Sequence, residues 1–273
     1  MMLDAPSWSF DVQEKWIELQ NSLKKLLING DRFKWTIPTK PEVQGGGESS
    51  RGEFLRYVGG VDLSFSKADP SIACGTLVIL DLTTLKICYE DYYVVKLLIP
   101  YVPGFLAFRE APVLLKLLEK MKKRNHPFYP QLLMVDGNGV LHPRGFGLAC
   151  HLGVLADLPT IGVGKNLHHV DGLTLSRVKA LLQDQQSSMK EVTTLLGDSG
   201  CILGAAMRPT EGSLKPIFIS IGHCIALTTA IEVVKLTCRF RVPEPIRQAD
   251  IRSKDYLRKC PQKVEDFTWD SYV

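Results

Sequence analysis

The spacing of hydrophobic positions changes several times along the chain, and each change predicts a different element. Apolar residues recur at helical spacing between positions 12 and 28, which predicts an amphipathic helix. Residues 40–52, with a proline and three successive glycines, predict a mobile loop. Segments 57–65, 73–81 and 87–97 are rich in β-branched and apolar residues, and their short polar connectors predict an antiparallel meander.

After Gly104 the apolar residues return to helical spacing and then alternate between helix and strand patterns. A surface helix passes through residues 114–121, and the predicted elements that follow are a strand at 131–136, a helix at 145–156, strands at 159–164, 201–207 and 216–221, and a helix at 227–238. Alternating strands and helices favour parallel pairing with right-handed crossovers. We therefore expect an α/β fold with a mixed sheet flanked by helices, whose ligands gather at the carboxyl ends of the parallel strands.

Composition narrows the class of protein. The chain has 273 residues, of which 45% are hydrophobic and 23% charged, as in a globular domain. No apolar run reaches the roughly 20 residues of a membrane helix, and the first ten residues do not read as a secretory signal. We expect a cytoplasmic or nuclear protein without membrane attachment. Seven cysteines without a C-x-x-C pair predict reduced thiols rather than a zinc site.

The charge is unevenly distributed. Residues 235–263 carry nine Lys or Arg and three acidic residues, a local charge of +6, so that the other residues sum to 4 − 6 = −2. A basic segment on a slightly acidic body suggests contact with a polyanion such as nucleic acid. A solvated helix face would explain the same charges.

Two aspartates stand in apolar strands. Asp62 lies between Val61 and Leu63 inside a predicted strand, and a buried carboxylate requires a partner, hydrogen bonds or a metal. Asp136 ends the strand at 131–136 directly before Gly137, where it could project into a cleft. Each aspartate also has an interpretation as a turn or cap residue.

Two further acids have equally plain alternatives. Glu110 precedes Pro112 at the start of a predicted helix, where a carboxylate could simply interact with the helix dipole. Asp250 stands among basic residues and could be an exposed ion pair. If the four carboxylates converge, they suit hard cations such as Mg2+ or Mn2+, and a pair of such ions can support phosphodiester hydrolysis. A metal nuclease is then one of several phosphoryl-transfer possibilities.

Seven motifs decide between these possibilities. In chain order they are GGVDLSF, PYVPGFLAFRE, VDGNGVLHPRGFGLACHLGV, PTIGVGK, GDSG, ISIGH and FRVPEPIRQAD. Together they closely resemble the endonuclease V family over about residues 56–252, in the form found in animal members. The resemblance implies a ribonuclease H-like fold. It also implies Mg2+-dependent hydrolysis, with Mn2+ able to substitute, at the second phosphodiester bond on the 3′ side of inosine, leaving 3′-hydroxyl and 5′-phosphate ends.

The resemblance also implies roles for individual residues. Asp62, Asp136 and Glu110 match the metal-binding positions, and Asp250 matches a further catalytic acid that contacts the metal directly or through water. Lys165 matches a lysine near the scissile phosphate, although a lysine at a strand end is more often merely solvated. His142 matches a histidine beside the metal site; a lone histidine is usually a satisfied polar residue.

The expected substrate site combines a wedge with a base pocket. PYVP matches the family's wedge, where an aromatic residue can replace stacking lost when a base leaves its neighbours; a hydrophobic turn packed in the core is the alternative. The wedge segment, residues 100–103, comprises Pro100, Tyr101, Val102 and Pro103. By the same likeness the base pocket comprises Gly104, Leu106, Gly137, Gly139 and Leu148.

The resemblance to animal members favours inosine in single-stranded RNA, with deaminated DNA as a further substrate. We expect a monomer with an N-terminal helix and loop over 1–50, a catalytic domain over 51–255 and a C-terminal tail over 256–273. Two rivals are a catalytically inactive nucleic-acid-binding module of the same fold and an actin-like phosphotransferase. The latter would need two duplicated domains, and the sequence shows no second copy.

Overall fold

The computed structural model describes residues 10–38, 53–99, 101–183, 192–210, 213, 215–259 and 264–267. The helices are α1 Phe10–Lys24, α2 Leu106–Lys123, α3 Leu148–Ala156, α4 Leu175–Gln183, α5 Leu227–Thr237 and α6 Glu244–Lys259. The strands are β1 Trp35–Thr36, β2 Glu53–Phe54, β3 Tyr57–Phe65, β4 Ile72–Asp81, β5 Ile87–Leu97, β6 Leu132–Asp136, β7 Thr160–Gly164, β8 Val192–Leu196, β9 Ile202–Met207, β10 Ile217–His223 and β11 Glu265–Phe267.

Nine strands form one mixed sheet in the order β11-β5-β4-β3-β6-β7-β10-β9-β8, while β1 and β2 pair separately. Strands β3, β4 and β5 form the predicted antiparallel meander. Strand β6 then pairs in parallel with β3, and β7 pairs in parallel with β6. The predicted mixed sheet is confirmed, with its parallel strands at the centre.

Helices cover both faces of this sheet. On one face α2 and α3 pack against buried residues such as Val61, Leu77 and Val135. On the other face α5 and the start of α6 pack against Val58 and Met134. Successive side chains of a strand point to opposite faces, so β3 contributes to both cores. None of the helices in the described ranges is long and apolar enough to cross a membrane.

The structure corrects several predicted boundaries. Helix α2 starts at Leu106, so Pro112 lies inside the helix rather than in its first turn. Helix α3 starts at Leu148 rather than at residue 145. Helix α4 and the strands β1, β2, β8 and β11 were not predicted from the sequence; each of these elements has nine residues or fewer. The predicted loop at 40–52 lies outside the described residues.

The approach of α6 to β3 depends on one glycine. A Cβ atom at Gly60 would lie 2.1 Å from the carbonyl oxygen of Pro245, the second residue of α6. Because no side chain fits there, the helix can rest directly on the strand that carries Asp62. The same close contact brings the later turns of α6 to the Asp62 side of the sheet.

Replacing Gly60 by alanine should push α6 away from β3. We expect Gly60→Ala to lower the free energy of unfolding by about 1–3 kcal/mol, as in other overpacked interiors. Thermal unfolding followed by circular dichroism measures the loss. Gly30→Ala is the matched control, since a Cβ atom at Gly30 meets nothing within 4 Å. Equal melting temperatures for the two variants would contradict the close-packing argument.

Candidate active site

Two aspartates lie side by side where β3 and β6 run in parallel. Val61 is aligned with Val135, so the next residues in each strand, Asp62 and Asp136, occupy neighbouring positions. Both valines are buried in the core beneath α2 and α3. Strand alternation therefore directs Asp62 to the opposite face, toward α6. The adjacency of the two predicted acids follows from strand register alone.

Asp62 is nearly buried and receives hydrogen bonds from two serine hydroxyls. Its Oδ2 atom lies 3.1 Å from Ser64 Oγ and 3.3 Å from Ser253 Oγ of α6. Burial, followed by the charges of Asp136 and Asp250, raises the pKa of Asp62 to about 6, although Lys165 and Ser64 act in the opposite direction. Asp62 thus lies near two other acidic side chains, whose charges oppose its ionisation.

Glu110 belongs to α2, which packs on the face of the sheet opposite to α6. It is the fifth residue of α2, whose first turn contains no acidic residue, so interaction with the helix dipole does not explain its position. Burial, followed by the charge of Asp62, raises the pKa of Glu110 to about 8; Asp136 adds to the rise and Arg109 opposes it. The carboxyl group therefore lies within electrostatic reach of both aspartates.

Lys165 supplies the nearest positive charge. It follows β7, which pairs with β6, and its Nζ atom lies 2.5 Å from Asp136 Oδ2. Burial disfavours the charged ammonium, but Asp136, Asp250 and Asp62 together raise the pKa of Lys165. The lysine is therefore an ion-pair partner of Asp136 and not a merely solvated residue.

Asp250 approaches from α6. Its carboxylate pairs with Lys254 one turn later, at 2.7 Å between Oδ1 and Nζ. The predicted ion pair is therefore present, but the charge of Asp250 also acts on Asp62 and Lys165. The structure thus brings four predicted acids and one predicted lysine together, and we refer to Asp62, Glu110, Asp136 and Asp250 as the acid cluster.

The donor chemistry of the acid cluster fits a divalent cation. Its carboxylates are hard oxygen donors, and their mutual repulsion is the condition that a cation relieves. Within the described ranges, no three His, Cys, Asp or Glu side chains already form a set that could hold a metal ion. The positive charge beside Asp136 is instead the ammonium of Lys165.

His142 lies in different surroundings. Its ring is 6.0 Å from that of His168, and its Nδ1 atom accepts a hydrogen bond from the Arg144 backbone N–H. Burial, followed by the charges of His168, Arg144 and Lys24, lowers the pKa of His142 to about 4. The histidine is therefore neutral at pH 7, and its charged neighbours are cations rather than the acids beside which we expected it.

Residues 101–103 of the wedge segment belong to an exposed turn just before α2. Tyr101 is 62% exposed, and the Phe105 N–H closes a turn onto the Val102 carbonyl. Pro103 and Gly104 occupy the centre of that turn, where Gly104 has φ +82°, a conformation that suits glycine. Pro100 lies outside the described residues. An exposed aromatic side chain on a proline-containing turn favours the wedge interpretation over a turn packed in the core.

The predicted pocket residues divide into two groups. Leu106 begins α2, and Leu148, which begins α3, would contact a Cβ atom at Gly137 at 3.5 Å. A Cβ atom at Gly139 would instead lie 1.8 Å from the Ile221 carbonyl oxygen. The space beside Gly139 is therefore filled by β10, and this glycine serves close backbone packing.

A groove of about 600 Å3 runs past the acid cluster on the α6 side. Asp62 and Asp250 lie at one part of its wall, and Lys67, Lys254 and Arg258 add positive charge. Such a groove offers space and cations for a phosphate backbone next to the carboxylates.

The serines that hold Asp62 were not predicted from the sequence. Ser253 Oγ lies 2.6 Å from Ser64 Oγ as well as close to Asp62. Ser64 could have been found, because it lies two residues after Asp62 and so on the same face of the strand. Ser253 is 191 residues away from Asp62, and no local pattern connects them.

The mixed sheet flanked by helices, with acids at the ends of its central strands, is the arrangement expected of the ribonuclease H-like class. The Endonuclease V family model matches residues 42–251. Human Endonuclease V is 46% identical over 248 residues, covering 89% of this chain and 83% of the human protein. The chain therefore belongs to the Endonuclease V family, in its animal form, and is an endonuclease.

Solved structures agree with this assignment. The catalytic domain of human Endonuclease V superposes with a TM-score of 0.82 at 42% identity, covering 92% of this chain and 98% of that one. A variant of Ciona intestinalis Endonuclease V, solved with a 23mer DNA containing an inosine followed by a ribo-adenosine, gives 0.79 at 31% identity and covers 92% and 99% of the two chains. The ribonuclease H-like fold implied by the sequence motifs is confirmed.

Removing one acid from the cluster should stabilise the protein in EDTA. The pKa of Glu110 is about 8 when folded against an ordinary 4.5, so the folded chain retains a proton that the unfolded chain releases between these values. The stabilising contribution of protonated Glu110 is therefore lost as the pH rises from 4.5 to about 8. We expect Glu110→Gln to raise the melting temperature above that of the parent at pH 8.5, with a gain that shrinks toward pH 5.

Glu119→Gln is the matched control for this measurement. Glu119 lies on the same helix with a side chain 53% exposed and a distant 3.8 Å pairing with Lys123. Its replacement should leave the melting temperature nearly unchanged at both pH values. If Glu110→Gln behaved like this control, the electrostatic strain assigned to the cluster would be wrong.

Proposed function

We propose that this chain is a Mg2+-dependent endonuclease that hydrolyses the second phosphodiester bond on the 3′ side of inosine. The observation that carries the proposal is the acid cluster, together with the exposed aromatic turn that precedes the helix carrying Glu110. Support also comes from the inosine-containing DNA bound to the Ciona intestinalis relative. The products are a 3′-hydroxyl and a 5′-phosphate, which requires water to attack phosphorus while the bond to O3′ breaks and O3′ gains a proton.

In this proposal Asp62, Asp136 and Glu110 hold the cation, with Mn2+ able to replace Mg2+. When bound, the cation lowers the pKa of attacking water and stabilises the charge of the leaving oxygen. Lys165 contacts Asp136, so its ammonium group would lie near a phosphate bound to the cation that Asp136 holds. There it would stabilise negative charge on the phosphoryl oxygens. Asp250, on the groove wall, orients water or the cation from the α6 side.

The base would leave its neighbours and enter the space between the first turns of α2 and α3. Tyr101 can stack where the base departed, since every base offers an aromatic face and unstacking costs a few kcal/mol. Gly104, Leu106, Gly137 and Leu148 border the proposed slot. Gly139 contributes to the slot indirectly, by holding the loop after β6 against β10.

We further propose that the preferred substrate is inosine in single-stranded RNA, with deaminated DNA as a second substrate. The similarity to human and Ciona intestinalis proteins supports an animal-type activity. A preference for RNA requires contact with a 2′-hydroxyl, the group that distinguishes the two polymers. We assign this activity to the catalytic domain at residues 51–255, in a monomer of the cytoplasm or nucleus.

Loss of a metal-binding carboxylate should abolish cutting but leave binding largely intact. We expect Asp62→Asn and Asp136→Asn each to reduce the cleavage rate of an inosine-containing oligonucleotide in Mg2+ by about a hundredfold or more, because cation stabilisation is worth several kcal/mol. Gel analysis gives the rate, and fluorescence anisotropy in Ca2+ gives the affinity.

Asp198→Asn is the control for charge removal, because Asp198 is an exposed partner of Arg177 distant from the cluster. EDTA should stop the parent enzyme. Cleavage that survives EDTA would contradict the metal mechanism. Binding without any cleavage by the parent chain in Mg2+ would instead establish the inactive binding module.

Single ribonucleotide substitutions should locate the recognition of RNA. In a DNA oligonucleotide with one inosine, we expect a ribose at one position around the inosine to raise kcat/KM by about tenfold, the scale of one good hydrogen bond to a hydroxyl. Each position is exchanged in turn and cleavage is measured under single-turnover conditions. Equal rates for all positions would contradict the proposed RNA preference.

A further inference from the structure

Helix α1 reaches the proposed base slot although it lies outside the residues matched by the family model, 42–251. The ring of Trp16 stacks on Phe108 at 5.0 Å and contacts Phe105 at 5.9 Å. Both phenylalanines lie at the start of α2, directly after the wedge segment. The helix is thus packed against the element that begins the slot.

One turn later on α1, Gln20 connects two other segments. Its side chain is only 1% exposed, and its Nε2 atom lies 2.9 Å from the Phe146 carbonyl oxygen and 3.4 Å from that of Gly104. Its Oε1 atom accepts a short hydrogen bond from Arg144 Nε. A single buried carboxamide therefore bonds to the wedge turn and to the loop before α3.

Arg144 extends this connection. Its guanidinium lies 5.4 Å from the centre of the Phe105 ring and donates to Asn21 Oδ1 at 3.2 Å. Its own carbonyl accepts a hydrogen bond from Lys24 Nζ at 2.8 Å. The arginine is held on three sides, so the Gln20–Arg144 pair forms a clamp between α1, the wedge turn and the loop before α3.

The two segments in this clamp lead directly into the residues that border the slot proposed above. Gly104 precedes Phe105 and Leu106 at the start of α2, while Phe146 precedes Gly147 and Leu148 at the start of α3. Their separation determines how closely main-chain groups can approach the edge of a base. Hypoxanthine and adenine differ only along that edge, so discrimination depends on small distances, and a misplacement of about 1 Å can cost a hundredfold in rate.

We propose that Gln20 is a positioning residue that sets the width of the base slot and thereby the selectivity for inosine over adenosine. The inference rests on the proposed function for the identity of the base. The connection between α1 and the two walls stands on the contacts alone. A purely structural role would lower stability without changing the ratio of activities on the two bases.

The test replaces Gln20 by methionine, which has a similar length but neither donates nor accepts strong hydrogen bonds. We expect the kcat/KM ratio of inosine to adenosine oligonucleotides to fall by about tenfold, mainly through a higher KM for inosine. A 2-aminopurine next to the inosine should also gain less fluorescence on binding in Ca2+. Hydrogen exchange should become faster at residues 101–106 and 146–150.

Two controls separate positioning from stability. Val234→Ala removes a buried side chain of α5, on the face of the sheet opposite to α2 and α3, and should lower the melting temperature without changing selectivity or exchange at the slot. Asn21→Ala removes one exposed contact of Arg144 and should have a small effect. Selectivity of Gln20→Met within twofold of the parent would overturn the proposal.

Failure of the proposed function gives a different result. If the parent chain showed no preference for inosine, the proposed function would be wrong. Hydrogen exchange would then still test whether Gln20 holds the two walls in place. Faster exchange at both walls in Gln20→Met, but not in Val234→Ala, would support a clamp for another ligand. Unchanged exchange at the walls would remove the clamp as well.

Discussion

The structure depends on holding several carboxylates close together against their mutual repulsion. Asp62, Asp136 and Glu110 lie within electrostatic reach of one another, and burial adds to the unfavourable interaction of like charges. The register of β3 and β6 places Asp62 and Asp136 side by side. Helix α2 carries Glu110, and α6 carries Asp250. The close approach at Gly60 allows α6 to take part. This repulsion lowers the stability of the folded protein at the carboxyl ends of β3 and β6, where the acidic groups lie.

Much of the fold could be predicted because the strongest periodicities belong to the elements that build the sheet. The meander, β6, β7 and α5 all carry clear apolar patterns, and the structure confirms them. The start of α2 was predicted wrongly because Pro112 suits a first turn, whereas packing of Phe105 and Phe108 against α1 extends the helix backward. Tertiary contacts of this kind override local preference.

The candidate site was predictable to the extent that its residues are chemically conspicuous. An aspartate in an apolar strand signals a special environment, and the acids and Lys165 do lie together. His142 has no comparable signal, and its neighbours prove to be cations. Gln20 and Ser253 were missed because their partners lie 84 to 191 residues away in the chain. Residues that orient a site through distant contacts carry no local pattern of their own.

The short strand β11 is the outermost strand on one side of the sheet. It pairs in parallel with the last residues of β5, from Val95 to Leu97, immediately before the chain enters the wedge segment. An uncovered strand edge exposes unpaired peptide groups and invites pairing with other molecules. The described residues of β11 thus cover three of the 11 residues of β5, and the peptide groups of those three residues are not available for pairing with another molecule. It also fixes the end of the strand that leads into the wedge segment, so a chain shortened before residue 264 would lose the hydrogen bonds that hold this part of β5 in place.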